Sequence, residues 1–374
     1  MRIAHIIYRN YLNPDGEGMS IGGIQTYLTN LVTVLHEIGY SVAIYQRGDK
    51  DFHTVLNYKL EIYGFARPVE KVRGLNDMLY SHVKGRIDKR RGDILIFGCE
   101  SMVVYASYGV PSFAVQHGIS WDVPMEGLSK TMYAFWYLKK QYRAWQTARR
   151  IKAVDHLVCV DCNFINWYKA LVPCPQLKLH YVPNFSVVPS ETIVKPNSKE
   201  GVNIIFARRF IFQRGTRLFM KVAKRLLAEY DNIRITIAGD GEDEKLLKDN
   251  LASNPHVTFT RYQSYESLKI HSDKHIAVVP TLGSEGTSLS LLEAMAVGCA
   301  VVCTIVGGMS NVIINEYNGL LIAPEEGELY QALKRLIEND EERLTLAQRG
   351  RESLEVSFSL NKWKQSWKNI LQGH

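Results

Sequence analysis

Short apolar runs alternate with helical patterns along the first half of the chain, and the runs predict buried strands. They cover residues 3–8, 42–45, 94–97, 112–116, 157–160 and 179–182. Unbroken apolar runs of this length are typical of strands that are buried on both faces of a parallel sheet. Between the first two runs, apolar residues recur at three- and four-residue steps from Ile24 to Ile38, which predicts an amphipathic helix. This alternation predicts a doubly wound α/β domain.

The alternation restarts after a polar, proline-containing stretch at residues 187–201, which is typical of a linker. Helices are predicted at 216–230 and 358–371, and strands at 202–206, 233–238, 257–259, 276–280, 300–304 and 320–322. Two α/β domains joined by a linker imply a cleft between them, and ligands of such sheets bind at the carboxyl ends of the strands. We therefore predict one domain at 1–186 and a second at 187–357.

The composition fits a globular protein of two domains. The 374 residues are enough for two domains of ordinary size, and 46% of them are hydrophobic. The net charge of +7 favours anionic partners such as nucleotides or phospholipid surfaces. No apolar run approaches the ~18 residues that a membrane helix needs, and the first apolar run is too short for a secretory signal. We expect a cytoplasmic protein.

Cys159 and Cys162 form a Cys-x-x-Cys pair, a spacing that is found in redox and metal sites. The other cysteines, at positions 99, 174, 299 and 303, are scattered along the chain. No second pair or histidine cluster stands at a zinc-like spacing. We therefore expect reduced cysteines with structural roles and no metal site.

Residues 281–312 combine a glycine-containing loop with a helix and a following strand. Thr287 or Ser288 can cap this helix, whose first turn then offers unpaired N–H groups to an anion. A phosphate bound there would leave Glu285, in the loop, beside an attached sugar. Glu293, in the helix, could accept hydrogen bonds from ribose hydroxyls. The spacing is equally compatible with an amphipathic helix that carries two solvated glutamates.

A longer set of motifs continues from this stretch. Its residues are Glu285-Gly286, Glu293-Ala294-Met295-Ala296, Gly298, Gly307-Gly308 and Asn318-Gly319-Leu320-Leu321-Ile322. The set resembles the signature of the retaining glycosyltransferases of family four, also called group one. Ala300 and Asn311 depart from that signature, at positions where the family often has proline and glutamate.

The resemblance implies the B-type glycosyltransferase architecture (GT-B), with two facing Rossmann-like doubly wound domains and an inter-domain cleft. In this architecture residues 1–186 would bind the acceptor and residues 187–357 would bind the nucleotide sugar. The C-terminal helix, at 358–374, would pack back on the first domain.

The resemblance also assigns roles to single residues. Arg209 matches an arginine of the family and Arg214 stands at the position of its lysine, so both would stabilise negative charge on the leaving diphosphate. His117 would contact the donor sugar, and Gly23 would contact the donor phosphate and the acceptor. The implied catalytic residues are Glu285, His117, Arg209 and Arg214. The implied donor-binding residues are Gly23, Arg209, Arg214, Glu285, Gly286, Thr287, Ser288, Leu289 and Glu293.

Two further motifs are expected to have structural roles. Asn184, which follows Pro183, should bond its own backbone in a turn. Gly239-Asp240-Gly241 follows the predicted strand at 233–238 and should form a tight turn.

The implied reaction moves a hexose from a UDP- or GDP-sugar to a hydroxyl of a saccharide, with retention of the anomeric configuration. The leaving phosphate would take the acceptor proton. No cofactor and no metal are implied, because Arg209, Arg214 and a helix N-terminus can supply the positive charge. The alternatives are a non-catalytic nucleotide-sugar-binding protein of the same fold, a transferase with a soluble acceptor, and a nucleotide-sugar epimerase.

One motif, Asp49-Lys50-Asp51, argues against a metal-independent reaction. Asp-x-Asp holds a divalent metal in the other glycosyltransferase architecture. The motif stands here without the rest of that fold's pattern, so we expect a charged turn.

Residues 130–152 are basic and aromatic, with no acidic residue among them. A helix of this composition can lie in the interface of an anionic membrane, and a core-packing helix with a solvated basic face is the alternative. We predict docking at the inner face of the cell membrane. We also predict a lipid-linked saccharide acceptor in bacterial surface polysaccharide synthesis, that is O-antigen, capsule or exopolysaccharide. No nucleic-acid motif accompanies the stretch, so no nucleic-acid partner is expected.

Overall fold

The computed structural model describes residues 1–20, 22–57, 59–68, 74–119, 121–124, 129–172, 177–191 and 193–373. Its contacts divide the chain into two compact units, each built around one sheet. The first unit comprises Met1–His117, Ser129–Val182 and Lys364–His374, and the second comprises Gly118–Leu128 and Pro183–Trp363. The predicted α/β class, with parallel sheets, is confirmed.

The first unit contains an eight-stranded sheet with helices on its faces. Its strands are β1 (Arg2–Ile7), β2 (Tyr40–Gly48), β3 (Phe52–Asn57), β4 (Leu60–Ala66), β5 (Ile94–Phe97), β6 (Ser112–Gln116), β7 (His156–Cys159) and β8 (Lys178–Tyr181). Its helices are α1 (Gly23–Glu37), α2 (Leu75–Lys84), α3 (Lys130–Ile151) and α4 (Cys162–Leu171). The strand order is β3-β4-β2-β1-β5-β6-β7-β8, and β3 is antiparallel to β4 while the other pairs are parallel.

The second unit contains a six-stranded parallel sheet. Its strands are β9 (Val202–Ala207), β10 (Ile233–Ala238), β11 (Val257–Thr260), β12 (Ile276–Val279), β13 (Ala300–Thr304) and β14 (Leu320–Ile322). The helices that follow α4 are α5 (Thr216–Glu229), α6 (Glu244–Leu251), α7 (Ser267–Ser272), α8 (Leu289–Ala296), α9 (Glu326–Glu338), α10 (Asp340–Ser357) and α11 (Leu360–Gln372). The strand order is β11-β10-β9-β12-β13-β14, and two apolar clusters cover its two faces.

β3 and β4 are strands that the apolar runs did not predict. β3 lies at the edge of the first sheet, and most of its side chains are exposed. β4 alternates buried and half-buried side chains. Strands near a sheet edge lack the two buried faces that produce an unbroken apolar run, so the pattern used for the inner strands did not detect them.

The junction between the units corrects the predicted domain boundaries. It lies at Val182–Pro183 and not at 186–187, because Ser186 pairs with Ser359 inside the second unit. Gly118–Leu128 also groups with the second unit, although the prediction placed it in the first domain. Sequence spacing could not show this, since the contacts responsible join residues that are far apart in the chain.

The predicted linker at 187–201 is packed against the second unit. Val188 and Ile193 contact one of its apolar clusters. Lys195 Nζ donates to the carbonyl oxygens of His271 and Ser272, at 3.1 and 3.0 Å, at the end of α7. This segment is therefore an irregular but anchored part of the second unit.

The last helix supplies contacts to the first unit through its residues from Lys364 onward. Trp367 is fully buried, and its Nε1 donates to the hydroxyl of Tyr27 at 2.9 Å. Lys364 and Lys368 both pair with Glu37 at the end of α1. Tyr27 in turn packs on the ring of His117, a predicted site residue.

Candidate active site

The order in which the chain adds strands to the second sheet reverses between β9 and β12. The loops after these two strands leave the same edge of the sheet. From β9 the chain moves outward to β10 and β11, then returns to β12 on the other side of β9. Such a switch point opens a crevice at the carboxyl ends of the two strands, where ligands bind in open α/β sheets. The predicted residues from Glu285 to Glu293 and the predicted arginines all follow these two strands.

Glu285 lies in the loop after β12 and is 8% exposed. Its Oε2 accepts hydrogen bonds from Arg208 Nη2, from Arg214 Nη1 at 3.0 Å and from Thr281 Oγ1 at 3.1 Å. Burial by itself raises the pKa of Glu285, but the charges of Arg214 and Arg208 outweigh it, so the pKa lies below its ordinary value. Glu285 is therefore a carboxylate held between two guanidinium groups.

Arg208, and not the predicted Arg209, reaches this carboxylate. Arg208 is buried, and its backbone N–H bonds to Ala238 O at 3.0 Å, one residue beyond the end of β9. Arg209 is exposed. The sequence offers two consecutive arginines, and the one that the family spacing selected, Arg209, is not the one that contacts Glu285. Arg214 contacts the same carboxylate, and its Nη1 also donates to Ser284 O at 2.9 Å.

The residues at the start of α8 follow Glu285 in the chain, and one of them contacts Arg208. Ser288 stands at the N-cap position, but its hydroxyl makes no capping bond; it accepts from Arg208 Nη1 at 3.3 Å. The capping role predicted for Ser288 is therefore wrong, since the guanidinium competes for its oxygen. Thr287 and Gly286 are buried beside it, and the half-buried Leu289 begins the helix.

Asn184 contacts this loop and does not have the predicted local role. Its Nδ2 donates to Thr287 O at 2.6 Å, across 103 positions of the chain. Asparagine is well suited to bonding its own backbone in a turn, but here the amide supports the start of α8.

Two glycines let the backbone approach this loop closely. Gly307 has a φ of +54°, and a Cβ there would lie 1.9 Å from Glu285 O. Gly215 has a φ of +75°, and a Cβ there would lie 1.8 Å from Pro280 O. Any side chain at either position would displace the loop that carries Glu285, which explains why the sequence has glycine at both.

Glu293 lies on α8 and is half-buried. The side chain of Ser267 donates to it, and burial raises its pKa to about 7 although Ser267 and the charge of Arg208 oppose that rise. Tyr262 is close enough for the charge of Glu293 to add to the effect of burial in raising the tyrosine pKa. The two glutamates of the motif thus differ, since Glu285 is held ionised and Glu293 titrates near neutral pH.

His117 and Gly23 lie in the first unit, whereas the other predicted site residues lie in the second. Nε2 of His117 donates to Gly98 O at 2.9 Å, and the ring of Tyr27 packs edge-on at 4.9 Å. Burial lowers the pKa of His117 to about 4, so the ring is neutral and its Nδ1 carries the lone pair. Gly23 is the first residue of α1. The N-cap residue before it, Gly22, has no side chain that could cap the helix.

Glu100 is a residue that the sequence analysis missed. It follows β5, is 7% exposed and accepts hydrogen bonds from the thiol of Cys99, at 3.2 Å, and from the backbone N–H of His117. Burial raises its pKa to about 7. The available signal was an acidic residue at the carboxyl end of a predicted strand, which is where the ligands of α/β sheets bind.

We expect Glu100→Gln to stabilise the protein at pH 8 but not at pH 4. The folded pKa of about 7 exceeds the ordinary value of 4.5, so the free energy of unfolding falls as the pH rises from 4.5 through 7. Glutamine removes this cost, which is about 3 kcal/mol at pH 8. Melting temperatures at the two pH values would show it. The exposed Glu328→Gln is the matched control, and equal melting of Glu100→Gln and the natural protein at pH 8 would refute the expectation.

The remaining candidate motifs have local contacts. Asp49 accepts from Arg47 Nη2 at 2.9 Å, and Asp51 accepts from the backbone N–H of Ala66 at 2.6 Å. None of the five cysteines within the described ranges forms a disulfide, and Cys174 lies outside those ranges. No group of three or more His, Cys, Asp or Glu side chains in the described part of the chain could hold a metal ion.

Comparison with known proteins extends over both halves of the chain. A relative from Methanocaldococcus jannaschii, an uncharacterised glycosyltransferase, is 24% identical over 364 residues and covers 94% of this chain and 93% of its own. A capsular polysaccharide biosynthesis glycosyltransferase of Staphylococcus aureus is 23% identical over 161 residues, 41% of each chain. The structure of Anabaena HepE in complex with UDP-glucose matches with a TM-score of 0.73, at 13% identity, over 100% of both chains.

The family profiles agree with the fold. Residues 21–185 match the family described as Glycosyltransferase Family 4, and residues 190–353 match the family described as Glycosyl transferases group 1. The second match contains Arg208, Arg214, Glu285 and Glu293. The structural likeness confirms the B-type glycosyltransferase fold. On these matches, the chain belongs to the group 1 glycosyltransferases.

Proposed function

We propose that the enzyme transfers a hexose from a UDP- or GDP-sugar to a hydroxyl of a lipid-linked saccharide, with retention of configuration, in the synthesis of a bacterial surface polysaccharide. The observation that carries this proposal is the convergence of Arg208 and Arg214 on Glu285 at the switch point of the second sheet. The match to a capsular polysaccharide glycosyltransferase supports the acceptor class.

The charge balance of the site suits a diphosphate. Arg208 and Arg214 carry two positive charges against the single negative charge of Glu285, and the N-terminus of α8 adds a favourable dipole. Fixed positive charge of this kind stabilises the negative charge that develops on a leaving diphosphate. These groups belong to the chain itself, so the proposal needs no metal ion.

The route of the acceptor proton follows from the state of Glu285. Its Oε2 already accepts three hydrogen bonds and its pKa is lowered, so it is a poor base. In the proposed step the bond from the anomeric carbon to the phosphate oxygen breaks while a bond to the acceptor oxygen forms on the same face. The acceptor proton goes to the leaving diphosphate.

The surface of α3 supports a membrane-bound acceptor. Among the residues of this helix whose side chains are described, only Ala144, Ala148 and Ile151 are fully buried. Phe135 is 72% exposed and Leu138 is 66% exposed. The alternative, a core-packing helix with a solvated basic face, would bury more of the aromatic side chains than α3 does. Its other strongly exposed apolar and aromatic residues are Met132, Tyr133, Tyr137, Tyr142 and Trp145. No described helix is both long and apolar enough to span a bilayer.

We expect the protein to bind anionic vesicles through the cations of α3. Lys139, Arg143 and Arg150 are exposed, and each cation near an anionic surface contributes about 1 kcal/mol. Replacing all three with glutamine should lower the affinity for phosphatidylserine-containing vesicles, measured by cosedimentation, by about 10²-fold.

The matched control neutralises three exposed lysines elsewhere, Lys50, Lys224 and Lys245. This control should bind as the natural protein does. Equal loss in both triple variants, or equal binding of the natural protein to uncharged phosphatidylcholine vesicles, would contradict the docking surface.

A thermal-shift screen against UDP, GDP, ADP and their common sugar conjugates tests the donor site. A ligand at a hundredfold excess over its Kd stabilises the folded state by about 2.7 kcal/mol, so a selective shift identifies the base. Transfer to lipid-linked saccharides, followed by NMR of the product anomer, then tests acceptor and retention.

Each alternative gives a different result in these assays. Binding without transfer indicates a nucleotide-sugar-binding protein, transfer only to free saccharides indicates a soluble acceptor, and interconversion of the free donor indicates an epimerase. An inverted product, or turnover that disappears when EDTA is added, would overturn the mechanism proposed above.

A further inference from the structure

The loop between β6 and α3 contacts the loop that carries Glu285. Its described residues 118–119 and 121–124 group with the second unit, as does the loop at 283–286. Asp122 Oδ1 accepts a hydrogen bond from the backbone N–H of Ser284 at 2.6 Å. A side chain 162 positions away therefore holds the residue that directly precedes Glu285.

Ser284 has a conformation that needs such support. Its φ is 56°, and within the described ranges only Ser284 and Glu316 are non-glycine residues with a positive φ. A serine in this region is strained by on the order of 1 kcal/mol or more, and such strain persists only where the surroundings hold it. The bond from Asp122 fixes the N–H of Ser284, and the bond from Arg214 fixes its carbonyl oxygen.

The same segment packs closely on both sides of Glu285. A Cβ at Gly283 would lie 2.7 Å from Val123 Cα, and a Cβ at Gly118 would lie 3.0 Å from Gly286 N. On a third side, Gly307 approaches Glu285 O. The main chain of Glu285 is thus enclosed, and Asp122 supplies a charged contact of that enclosure.

We propose that Asp122 is a positioning residue, which holds Ser284 in its left-handed conformation and so keeps the Glu285 carboxylate between Arg208 and Arg214. The proposal rests on the proposed transferase function. A peptide rotation at Ser284 would move the carboxylate away from the guanidinium groups. Because a misplacement of about 1 Å can cost 10²-fold in rate, the effect should appear in kcat.

The test combines three substitutions. Asp122→Ala should lower kcat 10- to 100-fold while the donor KM changes less than threefold. Asp122→Asn keeps an oxygen that can accept the Ser284 N–H, so it should retain at least a third of the natural kcat. Ser284→Gly removes the strain, because glycine adopts a positive φ without cost. Added to Asp122→Ala, it should raise kcat at least tenfold above that of Asp122→Ala alone.

A purely structural role for Asp122 would not give this rescue. A kcat of Asp122→Ala within twofold of the natural value, or no recovery in Asp122→Ala/Ser284→Gly, would overturn the proposal. Hydrogen exchange of residues 283–286 provides a readout that does not need turnover. We expect faster exchange at the Ser284 amide in Asp122→Ala, and unchanged exchange would also overturn the proposal. Failure of the natural protein to bind any nucleotide or to transfer sugar would instead refute the proposed function.

Discussion

Arg208→Ala should lower kcat for sugar transfer by about 10³-fold, while Arg209→Ala should leave kcat within threefold of the natural enzyme. The loss of a fixed positive group at a developing negative charge costs about 10²–10³-fold. Arg208 also holds Ser288 at the start of α8 and shares Glu285 with Arg214, so its removal disturbs more than one contact. The neighbouring Arg209 is exposed, which makes it a matched control of the same type.

Stability must be separated from catalysis in this experiment. Removing one partner of a buried ion pair costs about 3–5 kcal/mol, because it leaves an uncompensated charge. Arg214 remains beside Glu285, so we expect a lower melting temperature but a folded protein. Arg208→Lys keeps the charge but loses the planar fork, and should recover part of the activity. Equal effects of Arg208→Ala and Arg209→Ala on kcat would mean that the diphosphate does not bind between Arg208 and Glu285.

The inner strands of both sheets could be predicted from the sequence, because burial on both faces leaves an unbroken apolar run. The runs at 94–97 and 233–238, for example, coincide with β5 and β10. β3 could not be detected in this way, because it lies at an edge with most of its side chains exposed. The edge strands β8 and β11 were predicted as well, because each still carries a short apolar run although none of its side chains is fully buried.

The residues of the candidate site differ in how far local spacing along the sequence could predict their roles. Glu285, Gly286 and Glu293 belong to one continuous loop and helix, so their placement depends on local spacing. The roles of Asn184 and Asp122 depend on contacts across 103 and 162 positions, which no local pattern contains. The choice between Arg208 and Arg209 depends on how far the β9 ladder extends, and that is set by the pairing with β10.

The two glutamates of the motif have opposite electrostatic environments, which suggests different tasks. At Glu285 two guanidinium groups overcome the cost of burial and keep the carboxylate ionised. At Glu293 burial prevails, and the carboxyl group changes its charge near pH 7. Environments that separate the pKa values of paired carboxyl groups often mark distinct roles in an active site. Glu285 can organise positive charge at any neutral pH, whereas contacts to Glu293 depend on pH.

Glu293→Ala should lower kcat/KM by about 10²–10³-fold if the carboxylate binds the ribose. Hydrogen bonds to a charged acceptor contribute about 1.5–3 kcal/mol each, and two lost bonds would therefore account for the fall. The affinity for the free nucleotide should fall in parallel, since the ribose contact is present before the reaction begins. Isothermal titration with whichever of UDP or GDP binds the natural enzyme measures this.

The pH dependence of nucleotide binding then separates the contribution of the Glu293 charge from that of the side chain's shape. The pKa of Glu293 is about 7, so the ionised fraction falls about tenfold per pH unit below that value. The Kd of the natural enzyme should rise accordingly between pH 7 and pH 5.5 and stay constant above pH 8. Glu293→Gln, which keeps the shape but cannot ionise, should bind weakly at every pH. Its profile should show only the shallower pH dependence of the nucleotide's terminal phosphate, whose second pKa is about 6. A natural enzyme whose pH profile equals that of Glu293→Gln, or full transfer activity in Glu293→Ala, would remove Glu293 from the donor site and leave Arg208, Arg214 and Glu285 as its basis.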